Sequence, residues 1–135
     1  VGRPDIHAGE VPVAYVKLIA GMNVAAEELR EYARQHVSER AAAPVEVIIC
    51  DALPVTAVGK IFKPELRKRS IAGAFNKALA VMCPDTTFTI DISDDKKLGI
   101  KVTLSVQDGK GSAGMAIRVN DALQNFTLAW ELRQG

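Results

Sequence analysis

Residues 53–60 read Leu-Pro-Val-Thr-Ala-Val-Gly-Lys, directly after an apolar run, Val45 to Cys50. A Gly-Lys pair behind a strand first suggests a loop that wraps nucleotide phosphates. That loop needs a glycine six residues before the lysine and a Ser or Thr after it. Pro54 and Ile61 occupy those positions, so a backbone phosphate cradle is excluded. What remains is a single compact cation, Lys60. Pro54 stiffens the entry to its loop, and Gly59 permits backbone angles or a close approach that a Cβ would block. A lysine held this way can bridge two anions that must approach each other, such as a carboxylate and a phosphate oxygen. Downstream, KPELRKR (63–69) adds Lys63, Arg67, Lys68 and Arg69 against Glu65.

The set Pro54, Thr56, Gly59 and Lys60, followed by a basic helix, resembles the C-terminal hallmark of the adenylate-forming enzymes. These are the acyl-CoA synthetases, peptide-synthetase adenylation domains and luciferases. A second block agrees with the resemblance: VGRPD (1–5), then GEVPVAYV (9–16), in the right order and about 40 residues upstream. The resemblance covers roughly residues 1–70 and implies an ATP-dependent acyl-CoA synthetase that adenylates a carboxylate and then transfers the acyl group to CoA. It assigns Lys60 the adenylation charge and Pro54, Thr56 and Gly59 the support of its loop. It leaves Lys63, Arg67, Lys68 and Arg69 as candidate contacts to CoA phosphates or to a neighbouring domain. The parent would use ATP, Mg²⁺ and CoA, with a carboxylic (fatty) acid as substrate. None of these is expected to bind the fragment. The partner implied is the missing N-terminal adenylate-binding domain, so this chain alone is expected to be inactive. The resemblance also implies that Lys60 is a candidate for reversible acetylation, which would remove the same charge. The alternatives are a non-catalytic regulatory or oligomerisation module, or the end of a peptide-synthetase-type adenylation domain.

Composition narrows the field without choosing within it. The chain has 135 residues, 48% apolar and 24% charged, as globular proteins do. Seventeen basic and sixteen acidic side chains leave +1, with no excess to hold nucleic acid or an anionic membrane. No apolar run reaches the roughly 20 residues of a membrane span. Two cysteines, Cys50 and Cys83, and two histidines, His7 and His36, lie in unrelated segments, so no metal site is expected. A cytoplasmic location with reduced thiols follows as the expectation. The chain opens on Val-Gly, like the end of a strand, and is expected to be a piece of a longer protein.

The elements expected to carry these residues are α+β. Residues 3–11 are turn-rich, and a strand is predicted over 13–18. A helix is predicted over about 24–39, capped by Asn23, with Leu29, Ala33 and Val37 lining one face at spacings of four and Ala26 and Tyr32 beside it. The strand at 45–50 is apolar enough to be buried on both faces. A loop (51–63) leads to a helix starting at Pro64. Ile71, Phe75, Ala78, Leu79 and Met82 form a helical stripe that Leu66 does not share, so a kink or break is predicted near Ser70–Gly73. The domain boundary is placed there: 1–70 is the incomplete C-terminal subdomain and 71–135 a small α-β-β-α-β extension. Its strands are predicted from alternation over 88–92, 100–106 and 126–132, with SDDKKLG as a hairpin turn. Asp108-Gly109 should end the second strand, and Ser112 should cap a helix carrying Met115, Val119 and Leu123. Joined to the strand at 45–50, the extension would also suit a ferredoxin-like single sheet.

Overall fold

A computed structural model describes residues 1–107 and 114–133. The expected turn at Asp108-Gly109 and the cap at Ser112 lie outside the described residues. The elements are β1 (Gly2–Asp5), β2 (Gly9–Val16), α1 (Ala26–His36), a 3₁₀ turn (Arg40–Ala42), β3 (Glu46–Ile49), α2 (Lys63–Met82), β4 (Phe88–Asp95), β5 (Gly99–Val106), α3 (Met115–Leu123) and β6 (Ala129–Arg133). The class is α+β, with two three-stranded sheets. The chain divides into two compact units: Val1–Arg3 with Glu10–Ser70, and Pro4–Gly9 with Ile71–Gly135.

In the first sheet the order is β1-β2-β3. The turn-rich stretch 3–11 is itself part of a hairpin. Asp5 Oδ2 accepts the N–H groups of His7 and Ala8 at 3.0 and 2.7 Å, and Gly9 takes the left-handed φ of 81° that returns the chain. Pro4 is tolerated because β1 is an edge strand. Val1 and Val13 exchange both backbone hydrogen bonds, at 2.8 and 2.9 Å. β2 and β3 run parallel, with Val13 opposite Glu46 and Val16 opposite Ile49. Arg3 on β1 reaches Glu46 on β3 at 2.7 Å, spanning the middle strand.

Three local expectations are corrected here. α1 begins after Ala25, which makes no side-chain cap, so Asn23 does not cap it. Its start rests instead on Glu27 and Glu28 in the first turn, where carboxylates meet the helix's positive end. β3 is not buried on both faces. It lies at the sheet edge, and only Val47 is buried, while Ile49 and the preceding Val45 are exposed. Thirdly, α2 runs unbroken through Ser70–Gly73. The ~1 kcal/mol a mid-helix glycine costs is outweighed by the burial of Leu66, Ile71, Phe75 and Leu79 on either side of it. The stripe shifts because its members serve different cores. Leu66 and Ser70 are buried in the first unit, where Ser70 Oγ donates to the Gly2 carbonyl at 2.9 Å. Ile71, Phe75 and Leu79 belong to the core of the second unit.

That second core is built by period-two alternation meeting helical stripes. β4 pairs antiparallel with β5, Ile90 opposite Leu104 and Ile92 opposite Val102. β5 pairs parallel with β6, Val102 opposite Trp130 and Leu104 opposite Leu132. α3 is the crossover and supplies Met115, Val119 and Leu123. Cys83 and Phe88 close the cluster. Asp95 repeats the device of Asp5: its Oδ1 accepts Lys97 and Leu98 N–H, and Gly99 has φ 78°. The ferredoxin-like single sheet is not formed. β3 pairs with β2 in its own sheet, and the position beside β5 is filled by β6.

Phe75 is fully buried and its ring stacks on Phe126 with centroids 4.9 Å apart. Phe75→Ala should therefore cost about 3–5 kcal/mol in a urea titration. A loss below about 1 kcal/mol would show that this ring is not core.

Candidate functional site

The loop between β3 and α2 is a miniature hairpin. Val55 bridges Ile61 across it, and Phe62 N–H donates to the Pro54 carbonyl at 2.8 Å. At its tip, Gly59 N–H donates to the Thr56 carbonyl at 2.9 Å, and Thr56 N–H donates to the Lys60 carbonyl at 2.7 Å. Gly59 has φ 83°. This is the pattern of a three-residue hairpin loop whose last residue is a left-handed glycine bulge. The Thr56 hydroxyl adds a further tie, accepting the Lys60 N–H at 3.2 Å.

Each member of the Pro54–Lys60 motif thus has a structural reason. Pro54 needs no N–H because its role in the ladder is to accept. Thr56 binds both backbone groups of Lys60. Gly59 is required for its backbone angle, since a Cβ there would meet nothing within 4 Å. Lys60 itself is exposed, its backbone held at both ends and its side chain outside the core.

The flanking basic residues are less of a group than their spacing suggests. Lys63 and Arg67 are exposed on α2, Lys68 is half-buried, and Arg69 pairs with Glu65 at 3.7 Å. Consecutive helical positions point about 100° apart, so 67, 68 and 69 do not share a face. Glu10 is an exposed strand residue whose side chain lies over Gly2, where any Cβ would collide with it. Cys50 is half-buried, so the burial expected of the whole run 45–50 does not hold for it either. β3 ends at Ile49, one residue short of it, and its thiol turns back to the Ile48 carbonyl at 3.8 Å. Cys83 is buried, and His7 and His36 are exposed. Among the described residues, no group of three or more His, Cys, Asp and Glu gathers to hold a metal, and no helix is long and apolar enough to cross a membrane.

Sequence reasoning missed what surrounds the hairpin. β2 and β3 are parallel, and Cys50 N–H donates to the Val16 carbonyl at 2.8 Å, so the chain leaves both strands at the same end of the sheet. The two segments that follow carry exposed apolar side chains: Ile19 (79% exposed) and Met22 after β2, then Val55, Val58 (81% exposed), Ile61 and Phe62 after β3. Exposed large apolar side chains on two segments that leave the sheet at one end are candidates for an interaction surface. The available signal was apolar residues standing in loop segments outside any helical or strand period.

Residues 1–60 match the AMP-binding enzyme C-terminal domain. Marinolic acid–CoA ligase of Pseudoalteromonas sp. (strain SANK 73390) is 42% identical over 105 residues, covering 78% of this chain and 16% of that protein. A match of that length reaches past residue 71, into the second unit. Acetyl-coenzyme A synthetase of Pyrobaculum arsenaticum is 39% identical over 70 residues, covering 50% of this chain and 10% of that protein. The chain thus spans about a sixth or less of the length of these curated relatives. No solved structure matches it. With the Pro54–Lys60 motif and the upstream strand block both inside the match, residues 1–60 belong to the C-terminal domain family of AMP-binding enzymes.

Proposed function

We propose that this chain is the C-terminal part of an ATP-dependent acyl-CoA synthetase and that Lys60 supplies the charge for carboxylate adenylation. The observation that carries the reading is the hairpin, which fixes the backbone of Lys60 at both ends and leaves its side chain exposed. In such an enzyme ATP supplies the adenylyl group and CoA the accepting thiol. A carboxylate oxygen attacks the α-phosphorus as the bond to pyrophosphate breaks. The Lys60 ammonium keeps its proton and lies between the two oxyanions, offsetting charge that grows in the transition state. Pro54, Thr56 and Gly59 are positioning residues: they act through the Lys60 backbone.

The surrounding apolar side chains support the reading. Val58 and Ile61 next to Lys60, with Ile19 and Met22 on the neighbouring loop, suit docking against the large adenylate-binding domain. A charge carried on a docking domain can be delivered for one step and withdrawn for the next. Lys63 and Arg67, exposed at the start of α2, remain candidates for CoA phosphates, with Lys68 and Arg69 beside them. In this reading residues 1–70 are the catalytic-lysine subdomain and residues 71–135 an extension outside the chemistry. The substrate is a carboxylic acid, the metal Mg²⁺ and the setting the cytoplasm.

Three outcomes test the proposal. The purified 135-residue chain should show no ATP–pyrophosphate exchange, and exchange above background would contradict it. In the intact parent, Lys60→Ala should slow acyl-adenylate formation at least about 10²-fold while sparing transfer from supplied acyl-adenylate to CoA. Equal loss in both half-reactions, or loss in neither, would remove Lys60 from this role. Gly59→Ala forces an alanine into the left-handed region at about 1–2 kcal/mol. It should depress the adenylation half-reaction selectively, and an unchanged rate would show that the bulge does not position Lys60.

A further inference from the structure

We infer that the free edge of β6 is a self-association surface, at which a second copy of this chain adds its own β6 antiparallel. The inference does not depend on the ligase reading. Among the described residues, β6 is hydrogen-bonded to β5 on one side only and forms one end of its sheet. An open edge is a template for another strand unless its side chains forbid it. The two edges of this sheet differ. β4, at the other end, carries Asp91, Asp94 and Asp95 and no cation, so no register of β4 with itself is attractive. β6 carries one acid and one base two residues apart, Glu131 and Arg133, on the same face.

This spacing selects a register. Self-pairing in a continuous sheet must keep like faces together, so only residues of equal parity can stand opposite one another. Centring the two-fold axis on Glu131 would set Glu131 against Glu131 of the second copy. Centring it on Trp130 would set Glu131 against an alanine. Centring it on Leu132 sets Glu131 against Arg133 twice over, and Leu132 against Leu132 on the core face. Opposite charges directly across strands are favourable and like charges are not. The charges are already arranged for this. Glu131 sits beside Lys101 of β5 at 3.0 Å, while Arg133 is 70% exposed and contacts only a carboxylate of its own strand among the ion pairs of the described residues. The product would be a six-stranded sheet with β6 and its copy at the centre. Leu132 and Trp130, half-buried at the edge of the core, would gain cover.

The test uses the chain as it is. Sedimentation equilibrium from about 1 to about 500 µM should show a concentration-dependent dimer. Arg133→Glu and Glu131→Lys should each raise the dimer dissociation constant at least about tenfold, because each sets like charges across both pairs. An equimolar mixture of the two variants should dimerise again, since the mixed pair restores opposite charges at all four positions. Circular dichroism should show both variants folded, as both sites are at the surface. Three results would each overturn the inference: a chain monomeric at the highest concentration, a dimer indifferent to both variants, or a mixture no tighter than its components.

Discussion

Lys60 depends on a backbone that cannot rotate away. A flexible ammonium on a four-carbon stem has many rotamers, and anchoring its Cα is the contribution the protein can make before any partner arrives. Here the anchor is a short ladder: Phe62 to Pro54, Thr56 to Lys60, Gly59 to Thr56, and the Thr56 hydroxyl. The ladder closes only if the residue before Lys60 turns left-handed, which Gly59 does at φ 83°. The empty space around Gly59 shows that the requirement is torsional rather than steric. The neighbouring residues follow from this. Pro54 sits where only a carbonyl is needed, Thr56 sits where a hydroxyl can reach forward four residues, and Ala57 and Val58 occupy the two unrestricted turn positions.

The rest of the first unit gives that hairpin its place. Parallel pairing of β2 and β3 sends both following loops out from one end of the sheet. Open α/β arrangements put their working surfaces at the carboxyl ends of parallel strands for this reason. Parallel strands need a crossover, and α1 provides it without a single fully buried side chain. The sheet is tied across its width by Arg3 and Glu46, and to α2 by Ser70 and the Gly2 carbonyl. The exposed apolar residues of the hairpin are the counterpart of this economy: a small unit with few buried side chains leaves apolar side chains uncovered.

The second unit follows a different rule. Its core draws on every one of its elements, with Phe75, Val102, Leu104, Val119 and Leu123 fully enclosed. The β1–β2 and β4–β5 turns use the same device, an aspartate carboxylate accepting two successive N–H groups ahead of a left-handed glycine. Aspartate is short enough to close that turn on its own backbone, and glycine lets the chain reverse in register. β5 is the central strand because its alternation is complete, and β6 reaches it in parallel through α3.

Local pattern was sufficient wherever one periodicity ruled. The alternation at Phe88–Ile92 and Ile100–Val106 and the stripe at Ile71–Leu79 name their elements from spacing alone, because each side chain answers to one nearby surface. Where two surfaces competed, spacing misled. Leu66 lies off the stripe of α2 because it belongs to a different core, and a continuous helix therefore read as a broken one. Val45–Cys50 read as a doubly buried strand, but strand order places it at an edge, and no local property of an apolar run records how many neighbours it will have. The single ferredoxin-like sheet failed for the same reason: partners separated by dozens of residues are chosen by the packing of whole layers. What the chain by itself determined is the hairpin chemistry, since turn torsions and a left-handed glycine are local. Only tertiary structure decided that the segment carrying Ile19 and Met22 and the segment leading to Lys60 leave the sheet at the same end, because that exists only once β2 and β3 pair in parallel.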